Sequence, residues 1–250
     1  MGNKNKIHLI MPMGGGGTRF SKNGFEAPKP LLLIQDKPFF YWATESVRKF
    51  VEIKDLTFVV LQEHIDRFEI DQRIREFYPE AVIHVLDHVL DGAVLTCLEG
   101  VKGIEDNLPV LFNDCDHIFT CQEFYDYCNA GKFEDMDGAL LTFPSDDPKF
   151  SFLQLDEQGN VIRTVEKEVV SNQAICGAYY VRNRALFEQA AKQYLKECTY
   201  QEFFVSGVYN VMANDQKIIR SFVVDMHLPF GTPDEYDLAL NSKEFEVFMS

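Results

Sequence analysis

Short apolar runs and amphipathic stretches alternate along most of the chain. Runs with the length of buried strands occur at 7–13, 31–34, 56–61, 81–86, 108–112, 137–143, 174–181 and 217–224. Segments with helix-like spacing of apolar residues lie at 38–50, 63–78, 121–131, 184–197 and 201–214. Strands and helices in this order predict an α/β fold with a Rossmann-like sheet, mixed but mainly parallel, and helices on both faces.

The composition indicates that the chain can fold as one domain and that its charges are unevenly distributed along the sequence. With 250 residues, 46% of them hydrophobic, it can bury a full core. The net charge is −15, which disfavours nucleic acid as a partner. The first forty residues are basic instead, with Lys4, Lys6, Arg19, Lys22, Lys29 and Lys37 against Glu26 and Asp36. A positive region on an acidic protein suits a small polyanionic ligand.

No segment predicts export or membrane insertion. The N-terminus lacks the pattern of a signal peptide, and no apolar run approaches the length of a membrane-spanning helix. The six cysteines include no Cys-x-x-Cys pair, so no structural zinc site is predicted. We therefore expect a cytoplasmic protein with reduced cysteines and no membrane partner, and the sequence carries no signal for an oligomeric state.

A glycine-rich loop follows the first predicted strand. Gly14, Gly15, Gly16 and Gly17 come directly after Met13 and are followed by Thr18 and Arg19. Four residues without a β-carbon let a ligand approach the backbone N–H groups, as phosphates do. The loop matches neither the P-loop pattern nor the dinucleotide fingerprint Gly-x-Gly-x-x-Gly. With Lys29 nearby in sequence, it is interpreted as a triphosphate site.

The loop and the segment after it together resemble a known family. The order Gly-Gly-x-Gly-Thr-Arg-Phe, then Pro28-Lys29-Pro30-Leu31, is similar to the signature of the sugar-phosphate nucleotidyltransferases, the nucleoside-diphosphate-sugar pyrophosphorylases. The resemblance extends from Ile7 to about Leu240. It implies a single nucleotidyltransferase domain over 1–250, with a nucleotide-binding half to about residue 120 and an acceptor-binding half over about 121–250. Arg19 and Lys29 are its implied catalytic residues.

Carboxylates follow the predicted strand 108–112. Asp114 and Asp116 would lie at the carboxyl end of a central strand, which faces the ligand crevice of an open α/β sheet. Oxygen ligands there suit Mg²⁺ that bridges phosphates. The resemblance implies that Asp116 binds the metal, although Cys115 stands where the family usually has glycine. Asp114, two residues earlier, would lie on the same face if the strand continues and is expected at the nucleotide. A solvated turn is the alternative interpretation.

Two further segments match the family pattern more loosely. Gly92 and Ala93 take the place of a family segment that packs under the nucleotide base. Contacts that select the base are expected around Met13 and Gly14 and from Gln62 to Gly92. An ordinary turn glycine before a helix is the alternative. Which base is read does not follow from these residues.

The acceptor site is expected after a hairpin. Apolar stretches at 152–155 and 161–165 around a turn predict a small β-hairpin lobe, which leads into Glu166 and Lys167. The resemblance implies that Glu166 binds sugar hydroxyls, that Lys167 binds the sugar phosphate, and that Gly177 belongs to the same site. A surface ion pair is the alternative for Glu166 and Lys167.

The tail departs from the family at one position. Gly231-Thr232-Pro233 resembles the family's helix start, but Pro229 stands where a second metal-binding Asp is usual. Asp225, six residues before Gly231, is the candidate replacement if the intervening loop bends.

These observations predict an Mg²⁺-dependent nucleotidyltransferase. It would join an NTP to a phosphorylated sugar, release pyrophosphate, and supply precursors of surface polysaccharide. Two alternatives stay open: a cytidylyltransferase acting on phosphocholine or a polyol phosphate, and a nucleotide-binding regulator without catalysis.

Overall fold

A computed structural model describes residues 5–249. The strands are β1 (Ile7–Pro12), β2 (Leu33–Ile34), β3 (Lys37–Pro38), β4 (Ile53–Leu61), β5 (Val82–Leu86), β6 (Val110–Asn113), β7 (His117–Thr120), β8 (Gly138–Pro144), β9 (Ser151–Leu155), β10 (Val161–Glu166), β11 (Gln173–Val181), β12 (Ile219–Val223) and β13 (Met226–Pro229). The helices are α1 (Thr18–Ser21), α2 (Phe39–Arg48), α3 (Gln62–Phe68), α4 (Ile70–Phe77), α5 (Ala93–Gly100), α6 (Gln122–Ala130), α7 (Arg184–Glu197), α8 (Val205–Asn214), α9 (Pro233–Leu240) and α10 (Glu244–Met249), with a 3₁₀ turn at Lys29–Leu31.

The main sheet is mixed and runs in the order β10-β9-β11-β6-β1-β4-β5. The strands β6, β1, β4 and β5 are parallel to one another. The long strand β11 lies antiparallel beside β6 through Ala178–Val181 and also pairs with β8, which pairs in parallel with β12. The predicted fold class, with its hairpin of β9 and β10, is thus present.

Helices cover both faces of this sheet, because its central strands are apolar on both sides. In β1, Leu9 and Met11 pack in one core with α2, α4 and α6, while Ile10 between them packs in a second core with α5, α7 and α8. A third apolar cluster, around Trp42 and Phe245, joins α2 to the C-terminal helices. No helix among the described residues combines the length and apolar character needed to cross a bilayer.

Several element boundaries differ from the sequence-based expectation. The single helix expected at 63–78 is two helices, because Glu69 adopts a left-handed conformation with φ of 51°. The helix expected from residue 201 begins at Val205. The strands β7 and β13 were not predicted, and they pair with each other in a separate antiparallel ribbon, His117 opposite Pro229.

Candidate active site

The candidate site lies where β1 and β6 end. These neighbouring strands run parallel, with Ile10 opposite Phe112, so the glycine-rich loop after β1 and the carboxylates after β6 emerge at the same edge. Strand β1 has β4 on its other side, which makes this edge the point where the chain switches direction across the sheet. In open α/β folds such a point forms the ligand crevice.

The glycine-rich loop is closely packed at its ends. Met13 is buried and its N–H donates to Val59 O at 2.8 Å. A β-carbon on Gly14 would lie 2.6 Å from a methyl group of Leu86. Gly17 has φ of 57° and begins α1, which contains Thr18 and Arg19. By contrast, a β-carbon on Gly15 would meet nothing within 4 Å, and Gly16 is nearly as open.

An ion pair joins the second half of the sequence signature to one of the carboxylates. Lys29 Nζ lies 2.7 Å from Asp116 Oδ2, and both side chains are mostly buried. Burial raises the pKa of Asp116, but the charge and hydrogen bond of Lys29 outweigh it and lower that pKa below its usual value. Burial lowers the pKa of Lys29, but the charge and hydrogen bond of Asp116 raise it by more. The pKa of Lys29 is therefore above its usual value, and the lysine stays protonated. The charged pair therefore persists at neutral pH.

The second carboxylate has a different environment. Burial and then the neighbouring charge of Asp116 raise the pKa of Asp114 to about 7. The backbone N–H of Asp114 donates to Gly177 O at 2.9 Å. Gly177 has φ of 96°, and a β-carbon on it would lie 2.7 Å from Asp114 Oδ2. The glycine is thus required so that β11 can pass this close to Asp114.

These residues border a cleft of about 240 Å³. It is lined by Arg19, Ala93, Asp114, Asp116, His117, Lys149, Phe150, Ser151, Glu166, Ile175, Cys176, Gly177, Tyr179, Phe204, Val205, His227, Pro229, Gly231, Thr232 and Glu235. Six of the predicted site residues are among them: Arg19, Ala93, Asp114, Asp116, Glu166 and Gly177. Lys29 joins the cleft through Asp116.

The predicted base-side residues lie at different distances from this cleft. Ala93 lines it, while Gly92, with φ of 129°, packs against the backbone of Phe203. Gln62 does not line the cleft; it begins α3 and donates to Asp66 Oδ1 at 2.8 Å. Met13 and the four glycines are likewise outside the cleft lining, and their nucleotide contacts stay predictions.

The predicted acceptor pair lies at the end of β10. Glu166 accepts hydrogen bonds from Ser151 Oγ and, at 3.3 Å, from Ser206 Oγ. Lys167 has φ of 56°, and its Nζ lies 5.0 Å from the centre of the Phe204 ring. Lys167 lines a smaller neighbouring pocket, and Glu166 lines both this pocket and the cleft. The pair is therefore adjacent to the cleft, with Glu166 facing it.

Asp225, the predicted replacement for the missing second metal ligand, does not line the cleft. Asp225 Oδ2 accepts a hydrogen bond from the N–H of Gln122, the first residue of α6, at 2.7 Å. Since β13 pairs Met226 with Thr120 and Pro229 with His117, Asp225 lies at the far end of the ribbon from Asp116. Pro229 lines the cleft instead. Within the described chain, no group of three or more His, Cys, Asp and Glu side chains is arranged to hold a metal.

Other residues of the cleft were missed from the sequence. Lys149 Nζ lies 3.0 Å from Glu235 Oε1, and Glu235 also completes the capping box of α9 with Thr232. The capping box is a readable sequence pattern, but its place beside the cleft is not. His227 packs on Phe143 with a centroid distance of 4.2 Å, and neither of its ring nitrogens has a hydrogen-bond partner within the described residues.

Comparison with known proteins identifies the class. The model of the nucleotidyl transferase family matches residues 8–236. The chain therefore belongs to this family, and the predicted enzyme class, a nucleotidyltransferase, is confirmed.

A curated relative is also a sugar-phosphate nucleotidyltransferase by its name. A D-glycero-alpha-D-manno-heptose 1-phosphate guanylyltransferase from Campylobacter jejuni subsp. jejuni is 23% identical over 235 residues, which cover 92% of this chain and 97% of that protein.

Solved structures share the fold. The nucleoside-diphosphate-sugar pyrophosphorylase of Vibrio cholerae RC9 superposes with a TM-score of 0.82 and 20% identity, covering 94% of this chain and all of that one. The inositol-1-phosphate CTP transferase of T. maritima gives a TM-score of 0.77 at 12% identity, covering all of this chain and 97% of that one. The predicted nucleotide-diphospho-sugar transferase-like fold is confirmed.

Proposed function

We propose that this nucleotidyltransferase joins an NTP to a phosphorylated sugar and releases pyrophosphate. The observation that carries the proposal is the cleft itself, which brings Arg19 and Asp116 from the first half of the chain together with Glu166 from the second. A transfer reaction needs both substrates at one point, and this cleft is bordered by the predicted residues for each. Such a product would serve as a precursor of surface polysaccharide.

The chemistry requires no covalent intermediate. An oxygen of the acceptor's phosphate attacks the α-phosphorus in line, a new P–O bond forms, and the bond to the β-phosphate oxygen breaks as pyrophosphate leaves. Catalysis is then positioning and neutralisation of charge. Lys29 is suited to the charge that develops at the α-phosphate, since the pKa of its ammonium is raised by Asp116. Arg19 is assigned to the leaving pyrophosphate.

The donor set suits Mg²⁺. Asp114 and Asp116 provide carboxylate oxygens at the cleft, and Mg²⁺ is commonly held by one or two carboxylates together with substrate phosphates. When bound, the ion would polarise the phosphate oxygens and offset their charge. Lys29 would still neutralise Asp116 before the substrates arrive.

The cysteines are the basis for proposing a cytoplasmic location. All six cysteines are unpaired in the described structure, five of them buried. We place the enzyme in the cytoplasm, where NTPs are available and thiols stay reduced.

The first experiment measures pyrophosphate release with Mg²⁺ for UTP, dTTP, CTP and GTP. Each nucleotide is crossed with sugar 1-phosphates, polyol phosphates and phosphocholine. The polyol phosphates are included because of the likeness to the T. maritima CTP transferase. Release with a sugar phosphate supports the proposal. Release with only a polyol phosphate or phosphocholine replaces it by that alternative. Nucleotide binding with no release in any combination favours the regulator.

A matched pair of variants then tests the site. Asp116→Asn should lower kcat by about 10²-fold, the scale of losing one group that stabilises the transition state. Asp225→Asn is the control, because the asparagine side-chain oxygen can accept the same hydrogen bond from Gln122 N and Asp225 lies outside the cleft. Its kcat should stay within about twofold of the wild type on this basis. Equal activity of the two variants would contradict the role of Asp116.

A further inference from the structure

One short segment connects the expected base side of the cleft to the expected acceptor side. It comprises residues 203–206, between α7 and the first turn of α8. On the base side, Phe203 N donates to Asp91 O and Phe203 O accepts from Val94 N, both at 3.1 Å. These two bonds fasten Phe203 across the turn that contains Gly92.

The contact at Gly92 leaves little room for movement. A β-carbon there would lie 2.3 Å from Phe203 N and 2.8 Å from Phe203 Cα. The φ of 129° is also one that residues with a side chain rarely adopt. Displacement of the turn therefore has to displace Phe203, because the two backbones are in contact without intervening side chains.

The next residue contacts the acceptor side. The ring of Phe204 lies 5.0 Å from Lys167 Nζ and also lines the cleft. Lys167 has the strained φ of 56°, and its N–H donates to Phe150 O at 3.1 Å. Strain of this kind persists only where the surroundings hold it, and it is often found at functional sites. Phe204 is one of the groups that hold this lysine.

The segment continues to Glu166. Ser206 Oγ lies 3.3 Å from Glu166 Oε2, and Ser206 O accepts from Thr164 Oγ1 at 2.8 Å. Asn210 bonds both the N–H and the C=O of Thr164. The first turns of α8 are thus fixed to β10, the strand that ends in Glu166.

We propose that Phe204 and Ser206 are positioning residues for the acceptor, acting through Lys167 and Glu166, and that Phe203 links them to the nucleotide. A nucleotide that settles against Gly92 and Ala93 restrains the backbone of Phe203 further, and residues 203–206 transmit this restraint to Lys167 and Glu166. Nucleotide and acceptor therefore bind with positive coupling, which is reciprocal. This inference rests on the proposed function, since it takes Glu166 and Lys167 as acceptor ligands.

The test compares Phe204→Leu with Phe204→Tyr, using the nucleotide and acceptor found in the pyrophosphate assay. Leucine keeps apolar volume but removes the ring, so the KM for the acceptor should rise about 5- to 10-fold, within the range of a cation–π contact. The affinity for the nucleotide alone should stay unchanged, whereas the KM for the nucleotide at saturating acceptor should rise by the factor that the coupling loses. Tyrosine keeps the ring and should restore the acceptor KM to within about twofold.

A control variant removes a similar contact elsewhere. Phe68→Leu takes away a ring whose centre lies 5.0 Å from the Arg67 guanidinium, outside the cleft. It should leave both KM values unchanged. Ser206→Ala, which removes the donor to Glu166, should raise the acceptor KM severalfold without affecting nucleotide affinity.

Coupling is measured directly by calorimetry with the acceptor and a non-hydrolysable NTP analogue. In the wild type, the analogue should tighten acceptor binding about fivefold or more, and in Phe204→Leu this factor should fall towards one. An unchanged acceptor KM and coupling factor in Phe204→Leu would overturn the inference, as would equal losses in the leucine and tyrosine variants. Absence of wild-type turnover would instead count against the proposed function.

Discussion

The parallel strands carry ionisable side chains at both ends, and the two ends differ in how well these charges are paired. At the amino end, His8 Nε2 lies 3.0 Å from Asp106 Oδ1, and Lys54 forms an ion pair with the same carboxylate. At the carboxyl end, Asp114 and Asp116 lie close together and are half-buried, and Lys29 forms its ion pair with Asp116.

The pKa values reflect this difference. Partial burial raises the pKa of Asp106, but hydrogen bonds from Lys54 and His8 outweigh it and lower the value to about 2. The pKa of Asp114 moves the other way, to about 7. Charges at the amino end are thus compensated within the protein, while at the carboxyl end burial and the charge of Asp116 outweigh the effect of Lys29 on Asp114. Carboxyl groups whose pKa is raised in this way reduce stability and are typical of sites that bind ligands.

The largest expected effect comes from Lys29→Ala at the carboxyl end. We expect kcat to fall by about 10²-fold or more, because the variant would lose the cation that we propose stabilises the transition state. The melting temperature should shift by no more than a few degrees, which corresponds to about 1 kcal/mol for a chain of this size. Steady-state kinetics and thermal unfolding of the same preparation check both values. Near-normal turnover would show that Lys29 has no catalytic role.

A smaller effect is expected from Gly15→Ala. The added methyl group meets no protein atom within 4 Å and the backbone φ is not positive, so stability should be unchanged or slightly higher. If phosphates approach this backbone, the methyl group obstructs them and NTP binding should weaken about tenfold, or about 1.4 kcal/mol. Calorimetric titration with NTP and chemical denaturation measure the two quantities. Unchanged affinity would argue against phosphate binding at Gly15.

The smallest effect is expected at the amino end, from Asp106→Asn. Because the folded-state pKa of Asp106 is lowered, its contribution to stability is present above about pH 4 and is lost as the pH falls towards 2. The side chain is partly exposed, so the loss at pH 7 should be at most about 1 kcal/mol.

Denaturation of this variant and the wild type from pH 7 to pH 2 provides the check. The two free energies of unfolding should converge at the acid end, while kcat at pH 7 stays unchanged. A constant difference across the whole range would assign the effect to packing instead of charge.

The fold could be predicted wherever burial on both faces leaves a continuous apolar run. The segment at Ile7 was recognised as a strand for this reason, and the parallel part of the sheet followed. The ribbon of β7 and β13 was missed because it contains histidines and a proline and lacks a clear alternation. The break at Glu69 was missed because neither glycine nor proline marks it.

The residues of the site likewise fall into those that a local sequence pattern marks and those that it does not. Arg19, Lys29 and Asp116 stand in contiguous motifs, and a contiguous motif can be read without coordinates. Lys149 and Phe204 lie on loops that reach the cleft only through tertiary packing, so no local pattern marks them. Asp225 shows the opposite limit, because its proximity in sequence to Gly231 does not bring it to the cleft; it accepts a hydrogen bond from Gln122 N instead.

The place of β11 has a consequence for synthesis on the ribosome. Strand β11 covers the edge of β6 through Ala178–Val181, and Gly231 packs against Asp116. A nascent chain that has emerged only to about residue 120 would expose β6 as an unpaired edge, and such edges invite association with other chains. The cleft itself is complete only when residues beyond 231 have emerged. We therefore expect the first half to need protection from aggregation until most of the chain has been made.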